Sequence, residues 1–538
     1  MTLMKLLNLS SWVLPMMATM ASCSLATNTA ETYTDVRFDS TALYSRLLID
    51  SRIGDFYANK KQMGLNVYDE NGNLLQKNAG GSNLKFDYVP GLVAKALIEG
   101  AAFYSDSAFA RSWFYSVEDY ANRFVGSVPT KGGSLDDLNA TKMYPYLYDL
   151  TGEDGAFREI AQPSTHENAL KAMQNAIKGL ADANKNYAIK ASTNEEAAGG
   201  WFHKSKYPNQ MWCDGQYMGP ALLSQLQHYG LHIGQEDWKI VTRQFDITWH
   251  YLWDEDKQLL WHAFSADPTG SAASCWADPE TGRSAEYWGR ACGWYFLALV
   301  DVLEMMPTDI VYEPTQSSLG EYSVDCRTRL KQYLEKLALG LKLRHDEATG
   351  CWYQLLAYDG SFFADKYKNK SYDATYNYLE SSASAIFTAA YLKAVRLGYL
   401  SAEEYLPMAK KAYRGFVTEF VKQRTDGSYT LVSSCASAGL GSSEKRDGSA
   451  AYYLLGEDVT KIENYTEGKV FGAFILAAIE YERLMQKERA EATASIEEKM
   501  ADVRVAPKGA CGRYSLSGQK VENGQNGLFV EGGRVVRR

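Results

Sequence analysis

Basic residues are in deficit: 56 Lys and Arg stand against 65 Asp and Glu, a formal charge of −9. No block of positive charge offsets this, so a nucleic-acid partner, which needs cations to neutralise phosphates, is excluded. Cysteine is sparse. Of the 8 cysteines, the seven beyond Cys23, namely Cys213, Cys275, Cys292, Cys326, Cys351, Cys435 and Cys511, are scattered, form no CxxC and are odd in number, so no disulfide framework is legible. The 7 His residues include no HExxH, and although His228 and His232 are four apart, no acid lies nearby at matching spacing. Neither a catalytic transition metal nor another cofactor is expected. Runs of β alternation are few between about residues 40 and 485.

What the chain has in plenty is ring surface. Aromatics are 13% of residues, with 37 Tyr and 12 Trp. Flat faces with polar tips suit carbohydrate, whose C–H faces pack on rings, and they equally suit a Tyr-rich core. With 46% hydrophobic and 22% charged residues, the remainder is an ordinary globular composition. The N-terminus has the form of an export signal, with Lys5, an apolar stretch from about Leu6 to Met20, then Ala21-Ser22-Cys23. It is too short for a spanning anchor. Its ending resembles a bacterial lipoprotein cleavage box, in which Cys23 becomes a lipid anchor; an ordinary cleaved signal is the alternative. The expected domains are residues 1–23 as signal, 35–486 as one catalytic unit and 502–538 as a β tail. The expected location is the periplasm or outer membrane of a Gram-negative bacterium.

Two helix types alternate along the middle of the chain. Patterns over 88–104, 216–229, 291–306, 381–397 and 469–484 are apolar nearly all round; those over 167–182, 236–252, 327–343 and 403–421 are amphipathic. A helix apolar on every side must be enclosed, whereas an amphipathic one faces water. The alternation predicts an all-α fold, an inner ring of helices wrapped by an outer ring, that is, an α/α toroid. Loops feeding the inner helices then line one mouth, and they carry Asp87, Asp136, His203, Asp214, His262, Arg290 and Glu380. A charged helix from Lys487 to Ala501 and short strands around 514–521, 527–530 and 535–536 are expected to follow.

Within this pattern, Trp212-Cys213-Asp214-Gly215-Gln216-Tyr217 sets one acid among aromatics just ahead of an apolar helix. Poor solvation of Asp214 predicts a raised pKa, the environment of a general acid. Helix capping is the plainer reading for Asp214 and for Asp136.

The motifs resemble the unsaturated glycuronyl hydrolases of glycoside hydrolase families 88 and 105, above all the unsaturated rhamnogalacturonyl hydrolase branch. The resemblance spans roughly 85 to 480 and rests on ordered words: Asp87-Tyr88-Val89-Pro90-Gly91, Leu135-Asp136-Asp137-Leu138-Asn139, His203 to Pro220, Trp276-Ala277-Asp278-Pro279, Trp288-Gly289-Arg290-Ala291-Cys292-Gly293-Trp294, Gly350-Cys351-Trp352, Tyr378-Leu379-Glu380-Ser381 and Arg446-Asp447-Gly448-Ser449. It implies an (α/α)6 barrel and removal of a Δ4,5-unsaturated uronic acid from the non-reducing end of an oligosaccharide substrate produced by a polysaccharide lyase. The chemistry implied is hydration of a vinyl ether, in which an acid protonates C4 and water adds at C5. A glycosidase pair of carboxylates is then not needed.

By the same resemblance Asp214 is the general acid and base, and Asp136, or Asp137 beside it, holds substrate hydroxyls. His203 and His262 are pocket histidines, Arg290 grips the substrate carboxylate, and Trp212, Trp288, Trp294 and Tyr88 are stacking candidates. Phe86 departs from the family's usual Trp, Cys213 and Gln216 are unusual neighbours of the acid, and 152–198 is long. Two other classes stay open: a different (α/α)6 sugar enzyme, whether inverting glycosidase or isomerase, and a non-catalytic glycan-binding lipoprotein.

Overall fold

The computed structural model describes residues 33–58, 65–76, 85–310, 316–317, 320–321, 325–360, 376–441, 443–456, 459–463, 466–505, 513–516, 519–521, 528–531 and 534–537. The signal segment with Cys23, and Cys511, lie outside them. The helices are α1 Tyr44–Ala58, α2 Tyr88–Phe103, α3 Ala108–Phe124, α4 Leu135–Asn139, α5 Tyr144–Thr151, α6 Thr165–Asn186, α7 Cys213–Met218, α8 Pro220–Gln227, α9 Asp237–Leu252, α10 Gly289–Met305, α11 Cys326–Lys342, α12 Ser381–Arg396, α13 Ala402–Phe420, α14 Ala450–Leu455 and α15 Gly468–Val505.

Local chemistry starts the inner helices where the pattern predicts. Asp87 caps α2 by accepting the Val89 N–H at 3.1 Å, and Pro90 falls in the first turn, where no intrahelical N–H is lost. Glu380 caps α12 by accepting from Ser382 and Ala383. Along α10 every residue from Gly289 to Leu303 is buried. Such a helix must be surrounded, and it is. α2, α4, α7, α10, α12 and α15 touch in a closed circuit, each meeting the next and α15 returning to α2. Outside this circuit α1 packs on α15, α3 on α2, α6 on α4 and α5, α9 on α8, α11 on α10 and α13 on α12. Six outer–inner pairs make the (α/α)6 toroid.

Two expected helices differ in the structure. The pattern over 216–229 is two helices, because Pro220 has no N–H for the carbonyl one turn back and the rod breaks at Gly219. The charged helix expected from Lys487 is the continuation of α15, since neither Gly nor Pro stands between Leu484 and Ala501 to end it. Close packing inside the ring depends on glycine at Gly91, where an added Cβ would lie 2.4 Å from the Ala140 Cα. The C-terminal strands Lys520–Val521, Arg513–Ser515, Leu528–Glu531 and Arg534–Arg537 form an antiparallel sheet in that spatial order. Among the described residues no helix is long and apolar enough to cross a membrane.

Candidate active site

Short pairings between loops at one end of the inner helices assemble the polar groups. The strand Gln210–Trp212 runs antiparallel to Ala263–Ser265 with Trp212 opposite Ala263. The ladder continues as the Cys213 N–H donates to the His262 carbonyl at 3.0 Å. This register sets Asp214, in the first turn of α7, beside His262: Oδ2 lies 3.4 Å from Nε2. That is an ion-pair distance at which neither atom completes an aligned hydrogen bond. Asp214 does not cap its helix; the cap position is Trp212, which makes no side-chain bond there.

A second pairing works the same way. Leu135 N–H donates to the His203 carbonyl at 3.2 Å and Ser205 N–H to the Gly133 carbonyl at 2.8 Å, drawing the start of α4 against the loop before α7. Asp136 Oδ1 then lies 3.3 Å from His203 Nε2, and Oδ2 is paired with Lys204. The cap of α4 is Ser134, whose hydroxyl accepts from the Asp137 N–H. Asp136 faces the histidine and Asp137 is exposed, which separates the two adjacent acids.

The predicted pKa direction for Asp214 is corrected by this geometry. Burial alone pushes the carboxyl up, but the contact with His262, its charge and that of His203 outweigh burial and hold Asp214 below its ordinary value. Burial lowers His203, against the pull of Asp136. Asp137, though its side chain is exposed, is raised by the protein that displaces water around it and then by the charge of Asp136.

The remaining predicted residues divide. Trp212 is stacked by His203 at 4.6 Å and by Tyr207 at 5.1 Å, with its edge on His262. At 5% exposure it is a wall rather than an open platform. Trp288 is similarly enclosed, tilted on His262 at 4.9 Å, with its Nε1–H donated to Gln354 at 3.1 Å. Tyr88 is half-buried at the start of α2, and burial, then Asp136, pushes its phenol well up.

Arg290 and Trp294 depart from their predicted roles. The Arg290 guanidinium lies over Trp288 at 4.7 Å and donates through Nη1 to the Cys435 carbonyl at 2.8 Å and the Ser382 hydroxyl at 3.1 Å. It is 2% exposed, so its visible work is to tie three inner-ring segments together. Trp294 stacks on Tyr217 at 4.6 Å and is 1% exposed, enclosed inside the ring. The reason is its place one turn into α10, past the helix end that faces the mouth.

Four residues near the acids carried no sequence signal strong enough to single them out. Lys204 pairs Asp136, Tyr207 covers Trp212, and Tyr453 bonds His262. Glu286, whose carbonyl accepts the His262 N–H at 3.2 Å, has its carboxyl raised to about 7 by burial and then by Asp359. Among the described residues no group of three or more His, Cys, Asp or Glu is arranged to hold a metal ion. A cavity of about 340 Å³ between α1, α2 and α3 contains neither acid–imidazole pair.

The fold and site define a class: helical toroids whose mouth holds carboxylate–imidazole pairs walled by aromatic rings. The model of Glycosyl Hydrolase Family 88 matches residues 67–485, and the chain belongs to that family. A solved structure from C. acetobutylicum, of glycoside hydrolase family 105, is 28% identical, with a TM-score of 0.57 over 82% of this chain and 100% of that one. A possible family 105 member from Salmonella enterica shares the fold at 20% identity, with a TM-score of 0.52 over 84% and 96% of the two chains. The "24.9 kDa protein in picA locus" of Rhizobium radiobacter is 33% identical over 184 residues, 33% of this chain and 66% of that protein. An unsaturated 3S-rhamnoglycuronyl hydrolase of Formosa agariphila is 23% identical over 278 residues, 51% of this chain and 62% of that protein. The chain spans just under two thirds of the length of these last two relatives.

Proposed function

We propose that the protein removes a Δ4,5-unsaturated uronic acid from the non-reducing end of a polysaccharide-lyase product by hydrating its vinyl ether. The observation that carries this reading is the Asp214–His262 pair at the mouth of the ring with Asp136–His203 beside it, both walled by Trp212. Asp214 delivers a proton to C4. Water adds at C5 and returns its proton to the Asp214 carboxylate; the hemiketal then opens and releases the next sugar. Asp136, fixed by Lys204, accepts from substrate hydroxyls. Family membership supports a glycosidic substrate, the distant rhamnoglycuronyl relative supports a uronic acid next to rhamnose, and galacturonate is our choice of that uronate.

The depressed Asp214 carboxyl adds a requirement. It is ionised in the empty site and must take up a proton before it can act as an acid. A uronate that brings negative charge and displaces water from the mouth favours that uptake. The high-pH limb of kcat then lies above that of kcat/KM, because the second reports the free enzyme.

The test is a panel of lyase-generated oligosaccharides beside their saturated counterparts, without added metal, with released reducing sugar read for both and loss of ultraviolet absorbance, as the C4=C5 bond disappears, read for the unsaturated ones. Turnover confined to unsaturated substrates supports the proposal. Turnover of saturated ones alone, or binding without turnover, overturns it. Export and lipid attachment through Cys23 belong to the same proposal; Cys23→Ala should move the protein from the membrane fraction to the soluble one.

A further inference from the structure

Tyr453 is fully buried, and its hydroxyl makes a short contact with His262 Nδ1. The phenol can donate to that ring nitrogen or accept from it, and the tautomer of His262 decides which. On the far side of the imidazole, Nε2 faces Asp214 Oδ2 at 3.4 Å. A carboxylate accepts and cannot donate, so the hydrogen belongs on Nε2, which leaves Nδ1 bare and the phenol free to donate to it. We propose that Tyr453 is a positioning residue whose hydroxyl locks His262 in the tautomer that presents Nε2–H to Asp214. This rests on the reading of Asp214 as acid and base, and it deepens that reading by assigning the group that sets its partner.

The surroundings hold the phenol on this one target. Its ring stacks on Trp288 at 5.9 Å and 27°. Gln354 clamps both rings, accepting from Trp288 Nε1 at 3.1 Å and donating to the Tyr453 carbonyl at 3.2 Å. The helix that carries Tyr453 is built by the sequence word Arg446-Asp447-Gly448-Ser449. Asp447 accepts from the Ser449 N–H at 3.1 Å and hydroxyl at 2.8 Å, Gly448 turns the chain at a φ of +67°, and Ser449 caps α14 by accepting from the Tyr452 N–H at 3.2 Å. Only glycine adopts that φ without strain. The word thus has a mechanical role: it starts a helix of barely more than one turn whose fourth residue reaches His262. Burial keeps the phenol protonated and therefore a donor.

The titratable groups facing this array are few. His203 and His262 face Asp214 from the two loops, Cys213 adjoins it on α7, Cys292 faces it from α10, and Glu286 lies within electrostatic reach of Tyr453. Tyr453→Phe keeps the ring and its stack and removes the hydroxyl alone. It should lower kcat about 2- to 10-fold, the worth of one hydrogen bond between neutral groups. It should also move the limb of kcat/KM that reports Asp214 to higher pH, because a His262 free to rotate its tautomer no longer holds the carboxylate ionised. In a His262→Gln background the same change should add nothing further.

Histidine ¹⁵N NMR of the wild-type protein, with His262 assigned by its loss in the Gln variant, reads the tautomer directly. Nδ1 bare and Nε2 protonated is the result expected, with the two forms mixed in Tyr453→Phe. A protonated Nδ1 in the wild type overturns the inference, as does a folded Tyr453→Phe with an unchanged pH profile. If that variant does not fold, the wild-type spectrum decides. Should the wild type turn over no unsaturated substrate, the proposed activity falls while the tautomer measurement still stands.

Discussion

Replacing Asp214 by Asn separates chemistry from architecture at a single atom. The carboxylate caps no helix, so no capping energy is lost. Its one close polar neighbour is His262 Nε2 at 3.4 Å, and an amide oxygen in the same place can still accept from that N–H. The folded state should change by no more than about 1 kcal/mol, the worth of one ordinary hydrogen bond. Turnover should fall by about 10²–10⁴, because an amide can neither deliver a proton to C4 nor take one from water. That ratio corresponds to roughly 3–5 kcal/mol of barrier.

Acidification supplies an independent check on the same protein. A carboxyl whose folded-state pKa is depressed contributes stability that is present above its unfolded value and lost as pH falls through the folded one. Asp214 is of this kind. Below about pH 4, the unfolded value, the wild type should therefore lose stability faster than Asp214→Asn. Rate by ultraviolet absorbance and melting temperature by calorimetry, measured against pH on one preparation, read both. A variant with near wild-type rate sinks the mechanism and moves suspicion to Asp136; one that is inactive only because it is unfolded sinks the structural argument instead.

Arg290→Lys should lower stability by about 2 kcal/mol, since Lys cannot keep both the Cys435 and Ser382 bonds under Trp288, while KM changes little. A tenfold rise in KM at unchanged melting temperature would restore Arg290 as the grip on the substrate carboxylate. Gly91→Ala should cost about 1–3 kcal/mol or prevent folding, because its methyl meets the Ala140 backbone at 2.4 Å; an unchanged melting temperature would mean that α2 and the 140–143 turn separate freely. Lys142, buried near Asp301 at 3.5 Å and over the Tyr217 ring, is lowered to about 7 by burial, against the pull of Asp301. Between pH 7 and pH 10 its unfolded form binds the proton that the folded form has lost, so stability should rise across that window in the wild type and less so in Lys142→Met; urea midpoints at the two pH values measure it.

Much of the toroid was legible because enclosure leaves a local mark. Gly293-Trp294-Tyr295-Phe296-Leu297-Ala298 is apolar on every side and can only be an inner helix, and α2, α12 and the first half of α15 read the same way. The amphipathic α6, α9, α11 and α13 fall within a few residues of their expected ends. Four helices of the scaffold escaped notice, α1 among them, whose apolar residues mark no single face. α3 mixes aromatics with charges on a face whose burial is set by its neighbours, α5 is eight residues long, and α14 is six, too short for a periodicity to register.

The site was legible as a set of residue types and not as a set of contacts. Sequence could place Asp214 at the head of an apolar helix, Asp136 at the head of another and histidines in the loops between, because helix starts and loops are written in nearest neighbours. It could not pair them. Asp214 meets His262 through the register of two three-residue strands, and Asp136 rather than Asp137 meets His203 because of how the start of α4 turns. The ionisation of Asp214 followed from those pairings: aromatic neighbours in the sequence argued for a raised carboxyl, and imidazoles brought from elsewhere in the chain lowered it. Burial of a side chain is a property that a helical repeat can announce; a charge is set by whatever lies within a few ångströms, and at this mouth the close groups come from segments joined only by the closing of the ring.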